Sequence, residues 1–210
     1  MRRWIGLVGL ALLAAASAPA LACQSRGNPL LDENFKNPEI GWGKPDAIAD
    51  YTPRGLVMRP PVNGSAWRWN RNFSMARADL CVDEQNPAMM PNSANERNVG
   101  DVGIWFWGKD AQNFYTATIA PDGTAAIDRL VNGVWQTVVA PTRTASVRAA
   151  PGARNEIEIV TSGNSASFFV NGSHVAEFHG QAPPGGGAPG VYAESGPDIT
   201  TWLFPRVRLY

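Results

Sequence analysis

The chain has 210 residues, with 18 basic and 18 acidic side chains and therefore a formal net charge of zero. It contains no basic block and no acidic tail, which makes nucleic acid a poor candidate partner. Its length suits one β-sandwich domain, which can run to about 200 residues and bury a sizeable core.

The first residues have the features of an export signal. Met1-Arg2-Arg3 is basic, residues 4–16 are apolar and uncharged, and Ala20-Leu21-Ala22 has the small-x-small form of a signal-peptidase site. The apolar run is shorter than the ~20 residues of a membrane-spanning helix. We therefore expect residues 1–22 to be a signal peptide. Residues 23–210 are then a single exported domain, periplasmic or extracellular, without a membrane span.

The chain has two cysteines, Cys23 and Cys81. Two cysteines in an exported chain usually pair, which predicts a disulfide between them. The alternative is a lipid anchor on Cys23, because Ala20-Leu21-Ala22-Cys23 looks like an imperfect bacterial lipobox, with Ala20 where leucine is preferred. The sequence leaves both alternatives open.

After the signal, no window keeps a helical apolar period without an interrupting Gly or Pro. Short runs rich in Val, Ile, Thr, Phe, Tyr and Trp alternate with turn residues, a pattern typical of an all-β sandwich or barrel. The predicted strands lie, in chain order, at 30–35, 47–52, 55–59, 65–70, 73–83, three segments of 102–135, 136–140, 155–161, 165–170, 174–178, 190–194 and 202–210.

The predicted strand 65–70 carries two tryptophans. Trp67 and Trp69 alternate there with polar residues, which predicts that the indoles pack in the core and that Arg68 faces the surface. Residues 84–100 follow the next strand as a long, Asn-rich loop without periodicity, and loops of this length are usually functional or disordered.

The segment 102–135 is predicted to be a β-meander. Asp122-Gly123 and Asn132-Gly133 are turn signals, and we expect type I′ turns at both. Gly108-Lys109-Asp110-Ala111 separates the first strand from the second, Asp122-Gly123 separates the second from the third, and Asn132-Gly133 ends the third.

The first strand of the meander is apolar on both faces. By period two, Ile104 and Phe106 share one face, and Trp105 and Trp107 share the other. If the first pair faces the core, both indoles are exposed, and an exposed apolar patch of this kind usually marks a binding site. The alternative is that another segment covers them, for example Met89-Met90.

Two later groups of polar residues could also carry chemistry. Glu156 and Glu158 share a strand face at a spacing of ~6.5–7 Å, which is within the range of an inverting glycosidase pair. Outward glutamates on a strand are more often solvated charge. His174 and His179 fall on opposite faces and cannot both bind one metal ion without a bulge.

Several segments together resemble a known family. The run GIWFWGKDAQNFYTATIAPDGTAAIDRLVNGVW, the hairpin SFFVNGSHVAEF and the strand PGVYAES resemble motifs of concanavalin A-like lectin and glucanase domains. LLDENF and WLFPRVRLY are similar to the two terminal strands that pair in that fold. The resemblance covers residues 30–210 and is nearest to the 3-keto-disaccharide hydrolase (DUF1080-type, glycoside-hydrolase-16-like) branch.

This resemblance implies an all-β, two-sheet antiparallel jelly-roll sandwich with sugar-like ligands on one concave sheet. The glycoside-hydrolase-16 signature E-x-D-x-x-E is absent, so no catalytic residue is predicted. The leading hypothesis is a monomeric, non-catalytic protein that binds polysaccharide or oligosaccharide. Its predicted ligand-binding residues are Trp105, Trp107, Arg68 and Arg129.

The alternatives are a hydrolase resembling the 3-keto-disaccharide hydrolases and a structural or adhesion domain without a small ligand. No cofactor is expected. Many lectin-like sandwiches hold a structural calcium ion, for which Asp32, Glu33 and Asp198 are the candidate ligands here.

Overall fold

The computed structural model describes residues 23, 27–88 and 99–210, so the predicted signal peptide and Met89-Met90 lie outside the described residues. Within the described ranges, the helical structure is one turn of 3-10 helix at Ile40–Trp42. No helix there is long and apolar enough to cross a membrane. The strands are β1 (Leu31–Glu33), β2 (Ala49–Thr52), β3 (Gly55–Met58), β4 (Ser65–Trp69), β5 (Arg77–Gln85), β6 (Val102–Asp110), β7 (Asn113–Ile119), β8 (Thr124–Val131), β9 (Val134–Arg143), β10 (Arg154–Ser162), β11 (Ser165–Val170), β12 (Ser173–His179), β13 (Ala188–Glu194) and β14 (Trp202–Leu209).

The strands form two antiparallel sheets, which confirms the predicted two-sheet sandwich. The larger sheet has eight strands in the order β12-β11-β10-β5-β14-β3-β2, with β1 also paired to β14. The smaller has six strands in the order β4-β13-β6-β7-β8-β9. The predicted pairing of the two chain ends is confirmed, because Leu31 lies opposite Leu209.

One hydrophobic core lies between the sheets. Leu80, Ile157 and Phe204 enter it from the eight-stranded sheet, and Ile104 and Val191 enter it from the six-stranded sheet. Along β10, the alternation predicted from the sequence is observed, since Ile157 and Ile159 are both fully buried.

The turn predictions hold at one of the two meander turns. Asn132 and Gly133 have φ of 49° and 78°, as a type I′ turn requires. At Asp122-Gly123 the prediction is wrong, because Gly123 alone has a positive φ and its N–H donates to the Ala120 carbonyl at 2.9 Å. Pro121 holds the second position of that turn at a negative φ, which a type I′ turn does not allow.

The outer face of the eight-stranded sheet carries the disulfide. Cys23 and Cys81 are bonded, with their Cα atoms 6.1 Å apart, which confirms the predicted pairing. The Tyr210 hydroxyl donates to the Cys23 carbonyl at 2.7 Å, so the last residue of the chain also holds this segment.

Glu156 and Glu158 lie on the same outer face, and the expectation that they are solvated is wrong. They are 8% and 1% exposed. Arg208 donates to a carboxylate oxygen of Glu156 at 3.0 Å, and a carboxylate oxygen of Glu158 lies within 4.8 Å of both disulfide sulfurs. Cys23 and its disulfide therefore lie against side chains that strand periodicity alone assigns to solvent.

Candidate functional site

The prediction that Trp105 and Trp107 form one exposed platform is wrong. Trp105 is 0% exposed and Trp107 is 4% exposed. The β6–β7 register shifts between Phe106 and Asp110, and Trp107 has a φ of 46°. This irregularity turns Trp107 to the same side as Phe106, into the core between the sheets. Trp105 keeps the regular alternation and lies on the opposite side, which is the outer face of the six-stranded sheet.

The two predicted arginines do not join Trp105. Arg68 lies opposite the buried core residue Val191 and forms an ion pair with Asp46. The Arg129 guanidinium lies 5.1 Å from the centre of the Tyr115 ring and donates to Gln181 at 2.7 Å. Both arginines therefore point to the inter-sheet side, and the four predicted ligand-binding residues are not brought together.

Trp105 belongs to a set of aromatic side chains on the outer face of the six-stranded sheet. Its ring stacks on that of Trp69 with centroids 5.1 Å apart. Trp67 and Trp69 were predicted to pack in the main core, but they lie on this outer face and are half-buried. We call the set the aromatic face; its members are Trp67, Trp69, Trp105, Phe114, Trp135 and Tyr192.

The aromatic face is concave. Trp135 on β9 and Tyr192 on β13 are separated by three intervening strands, yet their ring centroids are 5.9 Å apart. In a flat sheet, strands at these positions are ~19 Å apart, and side chains stand roughly perpendicular to the sheet. The rings can meet because the sheet curves toward them.

The members differ in their access to solvent. Trp105, Phe114 and Tyr192 are buried and form the floor of the cluster. Trp135 is 44% exposed at its edge, where its ring meets Phe114 with centroids 5.6 Å apart. The face therefore presents an accessible indole held in place by rings beneath it.

Acidic side chains adjoin the aromatic face at the start of β6, on β8 and at the end of β13. Burial raises the pKa of Asp101 to about 7, and the neighbouring carboxylates of Glu194 and Asp128 are the next largest causes of this shift. The pKa of Glu194 is also raised by burial, although it accepts a hydrogen bond from the Tyr192 hydroxyl at 2.5 Å. Burial likewise raises the pKa of Asp128. These groups can accept hydrogen bonds from hydroxyls, and Asp101 can hold a proton close to neutral pH.

Two of the three candidate calcium ligands, Asp32 and Glu33, make other contacts. Both carboxylate oxygens of Asp32 accept hydrogen bonds from Arg206 at 2.6 Å. Glu33 accepts from the backbone N–H groups of Phe35 and Glu39. Among the described residues, one group of three metal-ligating side chains converges, and it consists of the disulfide-bonded Cys23 and Cys81 with Glu158.

Trp135 was not among the ligand-binding residues predicted from the sequence, although the sequence indicates which sheet face it lies on. The Asn132-Gly133 turn sets Val131 opposite Val134, so that Leu130 lies opposite Trp135 and Phe114 opposite Leu130. The three therefore share one face. The acidic group had no such signal, because Asp101, Asp128 and Glu194 come from three strands that are distant in sequence.

No family model and no curated protein matches the chain. Solved structures match its fold. A carbohydrate-binding module, CBM66 from Bacillus subtilis, is 15% identical with a TM-score of 0.61, over 78% of this chain and 91% of that chain. The Bacillus licheniformis beta-glucanase is 14% identical with a TM-score of 0.59, over 88% of this chain and 99% of that one. The lumenal domain of VIP36, in a Ca2+/Man3GlcNAc-bound form, is 11% identical with a TM-score of 0.58, over 77% and 80%.

At these identities the likeness establishes the fold alone. The structures that the chain resembles are concanavalin A-like lectin and glucanase sandwiches, whereas the 3-keto-disaccharide hydrolase branch stays a prediction. The chain therefore has the two-sheet jelly-roll fold of concanavalin A-like lectins and glucanases.

Proposed function

We propose that this protein is an exported carbohydrate-binding β-sandwich that holds a sugar chain against its aromatic face. The observation that carries the proposal is Trp135, an indole 44% exposed at the edge of a concave aromatic cluster. Flat aromatic rings present large apolar surfaces at little cost in conformational entropy, which suits the C–H faces of sugar rings.

Two further features support this role. The acidic side chains beside the aromatic face supply acceptors for sugar hydroxyls, and binding sites usually combine an apolar lining with a few convergent polar groups. The similar solved structures include a carbohydrate-binding module and a sugar-bound lumenal domain. In this proposal Trp105 supports the platform from beneath, and Trp135 replaces it as the contacting indole.

Removal of the accessible indole tests the proposal. We expect Trp135→Ala to weaken binding to a polysaccharide ligand about tenfold or more, because buried aromatic anchors dominate most interfaces. Binding is measured by affinity electrophoresis against a panel of soluble polysaccharides and then by calorimetry with the best of them. The matched control is Val134→Ala, since Val134 directly precedes Trp135 on β9 and is 62% exposed.

The two variants distinguish binding at a specific site from nonspecific binding to the protein surface. Binding that survives Trp135→Ala, or that falls equally with Val134→Ala, contradicts the proposed site. If no polysaccharide is bound at all, the remaining hypothesis is a structural or adhesion domain without a small ligand.

A second candidate function is glycoside hydrolysis. The observation that favours it is Asp101, whose pKa of about 7 suits a general acid, with Glu194 and Asp128 close enough to act on that pKa. If the protein hydrolyses the glycan that it binds, we expect Asp101→Asn to abolish turnover and to retain binding. Absence of turnover by the wild-type protein on that glycan refutes this candidate.

The proposal also includes the cellular location. A disulfide persists in oxidising compartments, which agrees with a periplasmic or extracellular protein. Intact-mass measurement of the exported monomer separates the two fates of Cys23. A mass two hydrogens below that of the reduced chain supports the disulfide, whereas a diacylglyceryl adduct on Cys23 places the protein on a membrane surface.

A structural calcium ion remains part of the proposal, and its test is a change in Tm on addition of a chelator.

A further inference from the structure

A cavity of about 500 Å³ opens at one end of the aromatic face. Its walls include the ring of Trp69, so the cavity is continuous with the proposed sugar platform. Trp69 lies opposite Gly190, whereas Glu194 lies opposite Ser65 at the other end of the same strand pair. Four residues of strand, about 13 Å, therefore separate this cavity from the acidic group at Asp101 and Glu194.

The cavity is built on a well-defined loop. Met75 and Gly187 exchange two backbone hydrogen bonds, of 3.0 and 3.1 Å, and the Ser74 hydroxyl donates to the Gly185 carbonyl at 3.1 Å. Gly186 has a φ of 92°, and a Cβ at that position would lie 2.3 Å from the Met75 carbonyl carbon. Glycine thus lets residues 183–187 pack closely against the chain before β5, which forms one wall of the cavity.

The charged residues that line the cavity are both basic. They are Arg71 and Lys109, and no carboxylate lies among the described lining residues. Neither of them forms an ion pair within the described parts of the chain. Asp110, adjacent to Lys109 in sequence, accepts hydrogen bonds from Gln112 and Asn113 at 2.8 and 2.9 Å, and the charge of Lys109 also lowers its pKa.

Arg71 is oriented by the aromatic face itself. Its guanidinium carbon lies 5.1 Å from the centre of the Trp69 ring, a cation–π arrangement that limits the conformations of the side chain. A guanidinium held in this way keeps its N–H donors at its edge, where they match the two oxygens of a carboxylate or sulfate group. Lys109 supplies a second positive charge at the same cavity.

We propose that this cavity binds the negatively charged group of an acidic glycan whose sugar rings lie along the aromatic face. The inference rests on the proposed sugar-binding function and names its ligand class, a polysaccharide bearing carboxylate or sulfate groups. The positive end of the face receives the anionic group, and the acidic end receives sugar hydroxyls. The opposite charges at the two ends therefore orient the chain on the platform.

Matched pairs of polymers test the charge requirement. Polygalacturonate is compared with its fully methyl-esterified form, and dextran sulfate with dextran, at two salt concentrations. We expect a charged polymer to bind about tenfold more tightly than its neutral partner, because hydrogen bonds to charged groups are the strong ones. We expect the difference to shrink at high salt. Preference within the uronate pair assigns a carboxylate ligand, and preference within the sulfate pair assigns a sulfate ligand.

Charge-removing variants locate the effect. Lys109→Gln and Arg71→Gln should each reduce affinity for the charged polymer about tenfold and leave affinity for the neutral one unchanged. Lys109 is exposed, so its replacement does not endanger the fold. The control is Arg54→Gln, which removes the same charge from an exposed position between β2 and β3 of the other sheet.

The outcomes distinguish this inference from the function on which it rests. Binding that requires Trp135 but is equally tight for charged and neutral polymers, with the charged polymer unaffected by Lys109→Gln and Arg71→Gln, overturns the anionic ligand and leaves carbohydrate binding in place. Equal loss with Arg54→Gln shows a nonspecific charge effect and also overturns it. If no polymer of either kind is bound, both proposals fail.

Discussion

The outer faces of the two sheets differ in how their buried charged side chains are paired. On the eight-stranded sheet, Glu156 and Glu158 are buried beside Cys23, and Arg208 lies between Asp83 and Glu156 at 2.7 and 3.0 Å. On the six-stranded sheet, the charges that act on Asp101 are all acidic and all raise its pKa. The first face has a buried ion pair of opposite charges, whereas the second is aromatic and its partly buried charges are acidic.

This difference indicates which face is structural and which is the better functional candidate. Buried opposite charges that compensate one another are costly to separate and hold elements together. Like charges kept close beside an exposed apolar patch destabilise the fold, and such groups concentrate at functional sites. The difference in charge therefore supports the site at Trp135 and Asp101.

The largest expected effect comes from breaking the neutralised face. Arg208→Ala leaves Glu156 buried without its ion-pair partner and also removes the partner of the partly exposed Asp83, which should reduce the free energy of unfolding by about 3–5 kcal/mol. Chemical denaturation measures the change. The matched control is Arg206→Ala, because Arg206 pairs with Asp32 while both side chains remain over 40% exposed. An exposed pair is worth about 0–1 kcal/mol, and equal losses in the two variants would remove the distinction drawn between the faces.

Removal of the disulfide should have the next largest effect. The bond links residues 58 positions apart, for which the chain-entropy model predicts about 4 kcal/mol, and measured values are typically about 2–4 kcal/mol. We expect the double variant Cys23→Ala/Cys81→Ala to be destabilised by this amount, with polysaccharide affinity unchanged. Loss of binding at a temperature where the variant is still folded would show that the two faces are coupled.

The third prediction concerns the outer face of the six-stranded sheet and the dependence of stability on pH. The unfolded chain releases the Asp101 proton near pH ~4, whereas the folded protein holds it until about pH 7. Between these values the folded state binds more protons, so the contribution of Asp101 to stability falls as the pH rises. Asp101→Asn should therefore gain stability relative to the wild type from pH ~4 to ~7 and show no further gain above.

The control for this pH dependence has the opposite sign. A hydrogen bond from Asn113 lowers the pKa of Asp110, so its contribution is present above the unfolded pKa and is lost as the pH falls. Asp110→Asn should accordingly lose stability relative to the wild type as the pH rises from the acidic range. Denaturation curves at several pH values measure both variants, and parallel curves for Asp101→Asn and the wild type would contradict the raised pKa.

Much of the fold was predictable because it depends on local chemistry. Alternating residues placed Ile157 and Ile159 in the core, and the Asn132-Gly133 turn paired its strands as expected. The strand register that this turn sets also determines the face on which Trp135 lies, so the hairpin rule predicts its position. The disulfide was one of two alternatives that the sequence left open, and the structure contains it.

The sequence by itself determined the all-β class and the Asn132-Gly133 turn, because propensity, alternation and turn chemistry act over a few residues. The pairing of the terminal strands was predicted only through the resemblance to concanavalin A-like domains. Only the tertiary structure decided which faces are covered and which charges meet. The irregularity after Phe106 turned Trp107 inward, and the disulfide buried Glu158, although strand periodicity placed both outside. Asp101 and Glu194 become neighbours because β6 and β13 pair across a long stretch of chain. Contacts of this kind depend on the global arrangement of strands, which no local pattern specifies.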